Sequence, residues 1–253
     1  MPNNPSFIRV RVWDLPTRVF HWATALCVLG LMVTGTVGGS AMTVHFRFGY
    51  ALLSLLLFRI VWGVVGGHWS RFRSFLFGPA ALLAYLRGQH PLSHTVGHSP
   101  LGALSVWAML GFLMLQVGTG LVSDDEIAFT GPLNRFISTS KGLAATWYHK
   151  QVGQWIIVAL VALHVVAIVW YLRRKKDNLI RPMLVGDKLM ARPARGSRDD
   201  LWSRLAALVL LQLHFAGGSP LPYLNALVTL GLLMPYRDAR PIALAAGLFV
   251  LHA

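Results

Sequence analysis

Charged residues and cysteines are scarce in this chain. Only 13% of the 253 residues are charged and 55% are hydrophobic, whereas about 25% of the residues in a soluble domain are charged. The single cysteine, Cys27, excludes an intrachain disulfide, and the lack of a CxxCH motif excludes covalently attached c-type haem. The sequence also has no HExxH or GxxxxGK[ST] motif and no GxGxxG at the start of a helix. These absences argue against common zinc proteases and nucleotide-binding enzymes.

The sequence instead contains four long apolar runs. They cover residues 18–38, 46–67, 101–122 and 148–172, and each is close to the ~20 residues that cross a hydrocarbon core. Asp14 and Pro16 mark the beginning of the first helix. The sequence therefore predicts an all-α membrane protein with a four-helix transmembrane bundle.

The basic residues predict the orientation of this bundle. The formal net charge is +14, but the cations flank the apolar runs, so we expect no nucleic acid partner. The N-terminal arm, the loop between the second and third runs, and the RRKK segment after the fourth run carry them, whereas the first loop has none. The positive-inside rule therefore places the N-terminus, the second loop and the tail in the cytoplasm.

The chain divides into three parts. Residues 1–190 form the predicted bundle, and residues 191–200 read as a polar cytoplasmic linker. Residues 201–253 form an apolar C-terminal extension in short pieces interrupted by glycine and proline. We expect one or two short extra helices there, and their topology stays open between extra spans, a re-entrant hairpin and interfacial helices.

Histidine occurs ten times. Six of these residues lie in the second loop or the tail, where we expect them to be solvated: His68, His90, His94, His98, His214 and His252. The other four, His21, His45, His149 and His164, lie at or within the apolar runs. One such histidine alone could be a structural hydrogen-bonding group, but four are harder to explain in this way, because ionisable groups in a membrane are costly and usually functional.

Helical geometry places these four histidines at two depths. His21 begins an outward-running helix and lies near the inner face, whereas His45 and His149 begin inward-running helices and lie near the outer face. With a rise of about 1.5 Å per residue, His164 lies about 22 Å below His149 and on the same side of its helix. We therefore predict two pairs, His45 with His149 and His21 with His164.

Two arginines accompany the predicted pairs. Arg59 lies fourteen residues after His45, on the same stripe and at the depth of the inner pair. We expect it to neutralise an anionic group held there, and the alternative is a side chain that extends to the cytoplasmic interface. Arg47 has a similar relation to the outer pair but lies at the interface itself.

The chemistry of a histidine pair limits what it can hold. Zinc prefers four protein ligands, and no Asp or Glu lies in the four runs. Two imidazoles are a complete axial set for haem iron, because the porphyrin supplies the other four nitrogens. Gly35, Gly49 and Gly153 lie near the histidines, where they either leave room for a flat macrocycle or allow close helix packing.

The motifs that carry these residues resemble a known family. They are VWDLPTRVFHW with His21, HFRFGYALLSLLLFRIVWG with His45 and Arg59, GHSPLGALSVWAM, YHKQVGQWIIVALVALHVVAIVWY with His149 and His164, and NLIRPMLVGDK. Together they resemble the prokaryotic cytochrome b561 family, a relative of the b-type cytochrome subunits of membrane hydrogenases. The resemblance covers about Arg9 to Lys188.

This resemblance implies two haem b groups with bis-histidine ligation that move electrons across the bacterial cytoplasmic (inner) membrane. We expect a relay between the quinone pool and a partner redox protein, such as a c-type cytochrome or a dehydrogenase or hydrogenase subunit, in a chain surrounded by membrane lipid. Whether it also acts as a quinone oxidoreductase stays open.

Two alternatives and two departures from the family remain. The chain could be an anchor subunit that docks a peripheral enzyme, or a proton or ion transporter that uses histidines as relays. The absence of carboxylates in the runs disfavours the transporter.

The family commonly has His-Glu where this chain has His149-Lys150, and the tail beyond Arg198 has no counterpart in it.

Overall fold

A computed structural model describes residues 7–89 and 96–215 of the chain. Within these residues four helices are long and apolar enough to cross a membrane: Leu15–Val37, Gly39–Val65, Pro100–Val122 and Thr139–Lys175. The prediction of an all-α membrane protein is confirmed. The fourth helix begins nine residues before the predicted span, because the polar segment TSKGLAATW continues the same helix. His90, His94, His252 and the extension beyond residue 215 lie outside the described residues.

The elements follow one another in a simple order. They are β1 (Ile8–Arg11), α1 (Leu15–Val37), α2 (Met42–Val65), α3 (Pro79–Leu86), α4 (Pro100–Val122), α5 (Thr139–Trp147), α6 (Gln154–Trp170), α7 (Ile180–Val185), β2 (Asp187–Met190) and α8 (Leu201–Phe215). A π-helical turn, Tyr148–Gly153, joins α5 to α6 without a break, and a second one, Tyr171–Lys175, follows α6. We call the end of the bundle that carries β1 and β2 the inner end, which is the cytoplasmic side in the sequence prediction.

Helix α2 lies at the centre of the bundle. In its most apolar stretch 56% of the residues are buried, compared with 17% or less in the other three spans. Leu52, Leu56 and Phe58 are 1% exposed and form the core with residues of α1, α4 and α6. The outward faces of the other helices keep large apolar side chains exposed, such as Leu26 and Leu163. A surface of this kind suits contact with lipid.

The carboxylate of Asp14 joins the inner ends of α1 and α2. Asp14 is fully buried and caps α1 by accepting a hydrogen bond from the Thr17 N–H at 2.8 Å, as the sequence predicted. It also accepts bonds from Trp62 Nε1 at 3.1 Å, Gly67 N–H at 3.1 Å and Ser70 Oγ at 2.6 Å. One side chain therefore fixes the height of α1 relative to α2 and to the loop that follows α2.

The segment after the fourth span returns to the N-terminal arm. Strand β2 pairs antiparallel with β1, with Arg11 opposite Asp187, and these two side chains form an ion pair of 2.7 Å. In the predicted linker, Ser197 N–H donates to the Arg11 carbonyl and Ser197 Oγ donates to the Val12 carbonyl. The Asp199 carboxylate accepts from the Leu15 N–H and from Arg11. The 191–200 segment is thus bound to the start of α1.

Helix α8 is the described part of the C-terminal extension. It begins two residues after Asp199 and lies against α2 and α1. Ala206 and Ala207 are 5% and 3% exposed, and Ala207 belongs to the same core as Leu52 and Phe58. At least the first helix of the extension is therefore part of the bundle rather than a separate unit.

Replacement of Asp14 should weaken the whole bundle. In Asp14→Ala, four buried donors lose a charged acceptor, and we expect a loss of about 3 to 5 kcal/mol in unfolding free energy. Thermal unfolding in detergent, followed by circular dichroism, measures this loss. Asp200→Asn is the matched control, because the Asp200 side chain is 44% exposed, and it should unfold as the native chain does. Equal stability of the two variants would contradict the central role of Asp14.

Candidate functional site

The outer histidine pair lies between α2 and the π-helical turn. His45 is in the first turn of α2 and His149 is in the turn Tyr148–Gly153. Their ring centroids are 6.2 Å apart and the ring planes cross at 78°. Both side chains are half-buried. The two outer histidines that the sequence paired by depth are therefore neighbours in space.

The inner pair lies between α1 and α6. The ring centroids of His21 and His164 are 6.3 Å apart, with an interplanar angle of 52°. His21 also contacts the Trp22 ring edge-on at 5.0 Å. On the same helix, Arg18 Nη1 and Trp22 Nε1 donate to backbone carbonyls of α7. These two bonds fix α7 against the inner end of α1.

The spacing within each pair has a chemical meaning. Two imidazoles on opposite sides of one metal ion, each with a metal–nitrogen bond of about 2.0 Å, have ring centroids about 6 Å apart. Both pairs have this separation. Among the described residues, no group of three or more His, Cys, Asp or Glu side chains could hold a metal ion. The arrangement therefore suits a cofactor that brings its own equatorial ligands, as haem does.

The outer rings are oriented by backbone carbonyls. His45 Nδ1 is 3.1 Å from the Leu31 carbonyl oxygen, and His149 Nδ1 is 2.9 Å from that of Gln116. A carbonyl oxygen can only accept, so each Nδ1 carries the proton and donates it. Each Nε2 is then left unprotonated, which is the form that binds a metal ion.

Gln116 of α4 holds His149 twice. Its backbone carbonyl binds the ring, and its side-chain Nε2 donates to the His149 carbonyl oxygen at 3.0 Å. A Cβ atom at Gly153 would collide with Gln116 Oε1, so the glycine allows this close approach. The sequence prediction missed Gln116, although it is the one amide side chain in the third apolar run.

Glycines border the outer rings. A Cβ atom at Gly35 would lie 3.2 Å from the His45 ring, and one at Gly120 would lie 3.0 Å from the His149 ring. A Cβ atom at Gly49 would meet nothing within 4 Å. Gly35 and Gly120 thus allow a close approach to the rings, Gly49 borders open space, and Gly153 serves close packing, the second of the two predicted uses.

Arg59 is buried at the inner end. It is 3% exposed, so the alternative of a side chain extended to the interface is wrong. Its guanidinium lies 4.8 Å from the Phe72 ring centroid and 6.0 Å from that of Phe20, the residue before His21. Its Nη1 atom has no hydrogen-bond partner among the described residues, and the negative charge of Asp14 attracts it.

The expectation that His98 is solvated is wrong. Its ring lies 4.7 Å from the Trp13 ring and 4.4 Å from the Phe75 ring, and its Nδ1 atom is buried without a partner in the described part of the chain. Desolvation, with a contribution from the charge of Arg59, lowers the pKa of His98 to about 3. The short helical turns after α2 fold Phe75 inward, and this closes the loop over His98.

The remaining predicted residues lie at the surface or near it. His68 is half-buried beside the Trp69 ring. Arg47 and Lys150 are both exposed, so Arg47 contributes no buried charge to the outer pair. His214 is in α8, beyond the part of the chain whose side chains are described.

Comparison with known proteins places this arrangement in a family. The family model for prokaryotic cytochrome b561 matches residues 12–186, which include both histidine pairs. Proteins named "Probable Ni/Fe-hydrogenase B-type cytochrome subunit" from Azotobacter chroococcum and Cupriavidus necator are 28% and 29% identical to the chain. The alignments cover 70% and 69% of this chain and 85% of each relative.

A relative from Escherichia coli, named a probable Ni/Fe-hydrogenase 1 B-type cytochrome subunit, is 26% identical over 61% of this chain and 80% of its own length. No solved structure matches the chain. The family match extends over most of the sequence and includes the four spans as well as both histidine pairs, and on this basis the chain belongs to the prokaryotic cytochrome b561 family.

Proposed function

We propose that the protein moves electrons across the bacterial inner membrane through two haem b groups, one held by each histidine pair. The observation that carries this proposal is the repeated spacing of 6.2 and 6.3 Å between paired imidazoles at opposite ends of the bundle. A transmembrane relay needs two sites in one membrane domain, because an electron on a single haem would still have to cross most of the membrane.

The residues present fit haem in three respects. The outer imidazoles have protonated Nδ1 atoms and available Nε2 atoms, because carbonyls accept from Nδ1. A Cβ atom at Gly49, one helical turn after His45, would meet no atom within 4 Å, and this open space suits a flat macrocycle. Arg59 carries a buried guanidinium nitrogen without an acceptor, which suits the carboxylate of a haem propionate at the inner site.

The chemistry follows from the ligand set. Haem b supplies an iron that gains and loses one electron at a time. If two histidines hold each haem iron, no coordination position would remain for oxygen or substrate, which would favour electron transfer over reaction at the metal. The protein's own tasks are to hold the four rings, to exclude water with apolar side chains, and to place charge near each site.

The relatives indicate the class of partner. Their names describe subunits of Ni/Fe hydrogenases, and we infer that this chain likewise serves a redox enzyme, with a hydrogenase-type subunit as the first candidate. We infer that the quinone pool is the second electron-exchange partner. Redox titration of the purified chain against a soluble quinone analogue tests that second step.

Removal of one inner ligand should remove one haem. We expect His164→Ala to retain about half of the native haem content, because the change leaves His45 and His149, the two ligands of the outer haem, in place. A pyridine haemochrome assay measures the haem, and reduced-minus-oxidised spectra show which band is lost. His68→Ala is the control and should keep both haems. If His164→Ala lost both haems while its thermal unfolding stayed native-like, the depth pairing would be wrong.

Gln116 should control retention of the outer haem. In Gln116→Leu the His149 backbone loses its donor, and loss of such supporting contacts typically costs about 10- to 100-fold in affinity for the metal group. Haem transfer to excess apomyoglobin measures this loss site by site. Gln151→Leu changes an exposed amide in the same π-helical turn and should leave transfer unchanged. Equal transfer rates in the two variants would show that Gln116 does not support binding of the outer haem.

A further inference from the structure

Two buried nitrogen atoms near the inner end of the bundle lack a hydrogen-bond partner. They are Nη1 of Arg59 and Nδ1 of His98, and neither has a partner within residues 7–89 and 96–215. Buried polar atoms in folded proteins are nearly always hydrogen-bonded, because an unsatisfied one destabilises the fold. Two such atoms on different elements therefore need a common explanation if they lie together.

The ring of Phe75 brings these two groups into one cluster. The guanidinium carbon of Arg59 lies 5.9 Å from the Phe75 ring centroid, and the centroid of the His98 ring lies 4.4 Å from it. Desolvation and the positive charge of Arg59 lower the pKa of His98 to about 3. The histidine is therefore neutral at physiological pH and adds no second charge beside the arginine.

Asp14 attracts Arg59 but has no acceptor position left for it. Its two carboxylate oxygens already accept two hydrogen bonds each. The donors are Thr17 N–H and Trp62 Nε1 on one oxygen, and Gly67 N–H and Ser70 Oγ on the other. A carboxylate offers about four acceptor positions, so all of them are in use. The free nitrogen of Arg59 needs a different acceptor.

One kind of ligand satisfies both free nitrogens. A guanidinium only donates, and Nδ1 of a neutral imidazole donates when it carries the proton. An anionic oxygen accepts from both groups, and a planar carboxylate matches the geometry of a guanidinium. The surrounding rings of Phe72 and Phe75 add no further donors, which favours a singly charged carboxylate over a phosphate group.

The two ends of the bundle differ in this feature. The guanidinium of Arg59 lies 6.0 Å from the ring of Phe20, the residue before His21, and Arg59 is 3% exposed. The cations beside the outer pair, Arg47 and Lys150, are exposed, so water solvates their charges without help from a ligand. A buried cation that requires an anion is therefore a feature of the inner end.

We propose that Arg59 and His98 together bind one carboxylate of the inner haem, and that the inner pair, unlike the outer pair, therefore selects a haem with free carboxylates. The inference rests on the proposed function, since it needs a haem at the inner pair. It gives His98 a role in cofactor binding and makes the two haem sites different in selectivity.

Haem dimethyl ester, in which methyl groups block both carboxylates, tests this selectivity. Two full-length chains each keep one site: His45→Ala has the inner pair and His164→Ala has the outer pair. Each is freed of haem and titrated with haem or with the ester, and the absorbance of the bound group is followed. The inner-site chain should bind the ester about 10- to 100-fold more weakly than haem, and the outer-site chain should bind both with similar affinity.

Two outcomes of this titration separate the two proposals. If the inner-site chain binds haem and its ester equally well, the carboxylate site is wrong, and Arg59 faces a free anion or a lipid phosphate instead. If neither chain binds haem, the proposed function itself fails.

Variants of the inner-site chain test the two residues. Arg59→Met should weaken haem binding by about 10- to 100-fold and His98→Leu by about 10-fold, and neither should change the affinity for the ester. His98→Asn keeps a donor and should restore part of the loss. His68→Leu is the matched control, because His68 is a half-buried histidine in the same loop, and it should bind haem as the parent chain does.

A merely structural role predicts a different pattern. If Arg59→Met or His98→Leu weakened the binding of haem and of the ester by the same factor, that residue would support the fold and not the carboxylate, and the proposal would be wrong. If Arg59→Met does not fold, the ester comparison in the parent chain and in His98→Leu still decides.

Discussion

The buried carboxylate of Asp14 sets the relative heights of the first two spans, and the position of the inner site follows from it. His21 lies two helical turns above this carboxylate on α1, and Trp62, one of its donors, lies one turn below Arg59 on α2. The carboxylate therefore places Arg59 beside Phe20, the residue before His21, rather than a turn higher or lower. Four hydrogen bonds to one charged acceptor in an apolar region make this arrangement hard to shift, since any slip leaves buried donors unpaired.

The outer site is built by a different means. Here the backbone provides the acceptors for the rings: the carbonyls of Leu31 and Gln116 lie inside α1 and α4 and still bind a histidine ring. A helix carbonyl can accept a second bond because it has two lone pairs. Gln116 Nε2 donates to the His149 carbonyl within the π-helical turn, and such internal bonds matter in a membrane, where water cannot replace them.

Some of this architecture could be predicted from the sequence, and the reasons are physical. The helical rise and the positive-inside rule together gave the depth of each histidine, because both depend only on residue spacing and on charge. The site residues that this reasoning missed or placed wrongly depend on tertiary packing. Gln116 acts through a π-helical turn that no periodicity indicates, and His98 is enclosed only because Phe75 turns inward. The carboxylate of Asp14 has one local partner, Thr17, which capping rules predict, whereas its other three donors come from residues about fifty positions away. The contacts of the 191–200 segment, such as that of Ser197 with Val12, have the same long-range origin.

Arg59 connects the stability of the bundle to its cofactor. A guanidinium in an apolar environment has a large desolvation cost, and the rings of Phe20, Phe72 and Phe75 offset only part of it, because a cation–π contact is worth roughly 1 to 2 kcal/mol. Asp14 attracts this charge, but its own oxygens are already bound to four donors. The Nη1 atom therefore still lacks an acceptor among the described residues. If a haem propionate provides that acceptor, as the proposed function implies, haem binding and folding become coupled, because the group that binds the folded bundle also pairs with the buried guanidinium of Arg59. A cation at this depth then makes sense as part of the inner site, because without an anionic ligand it would only weaken the bundle.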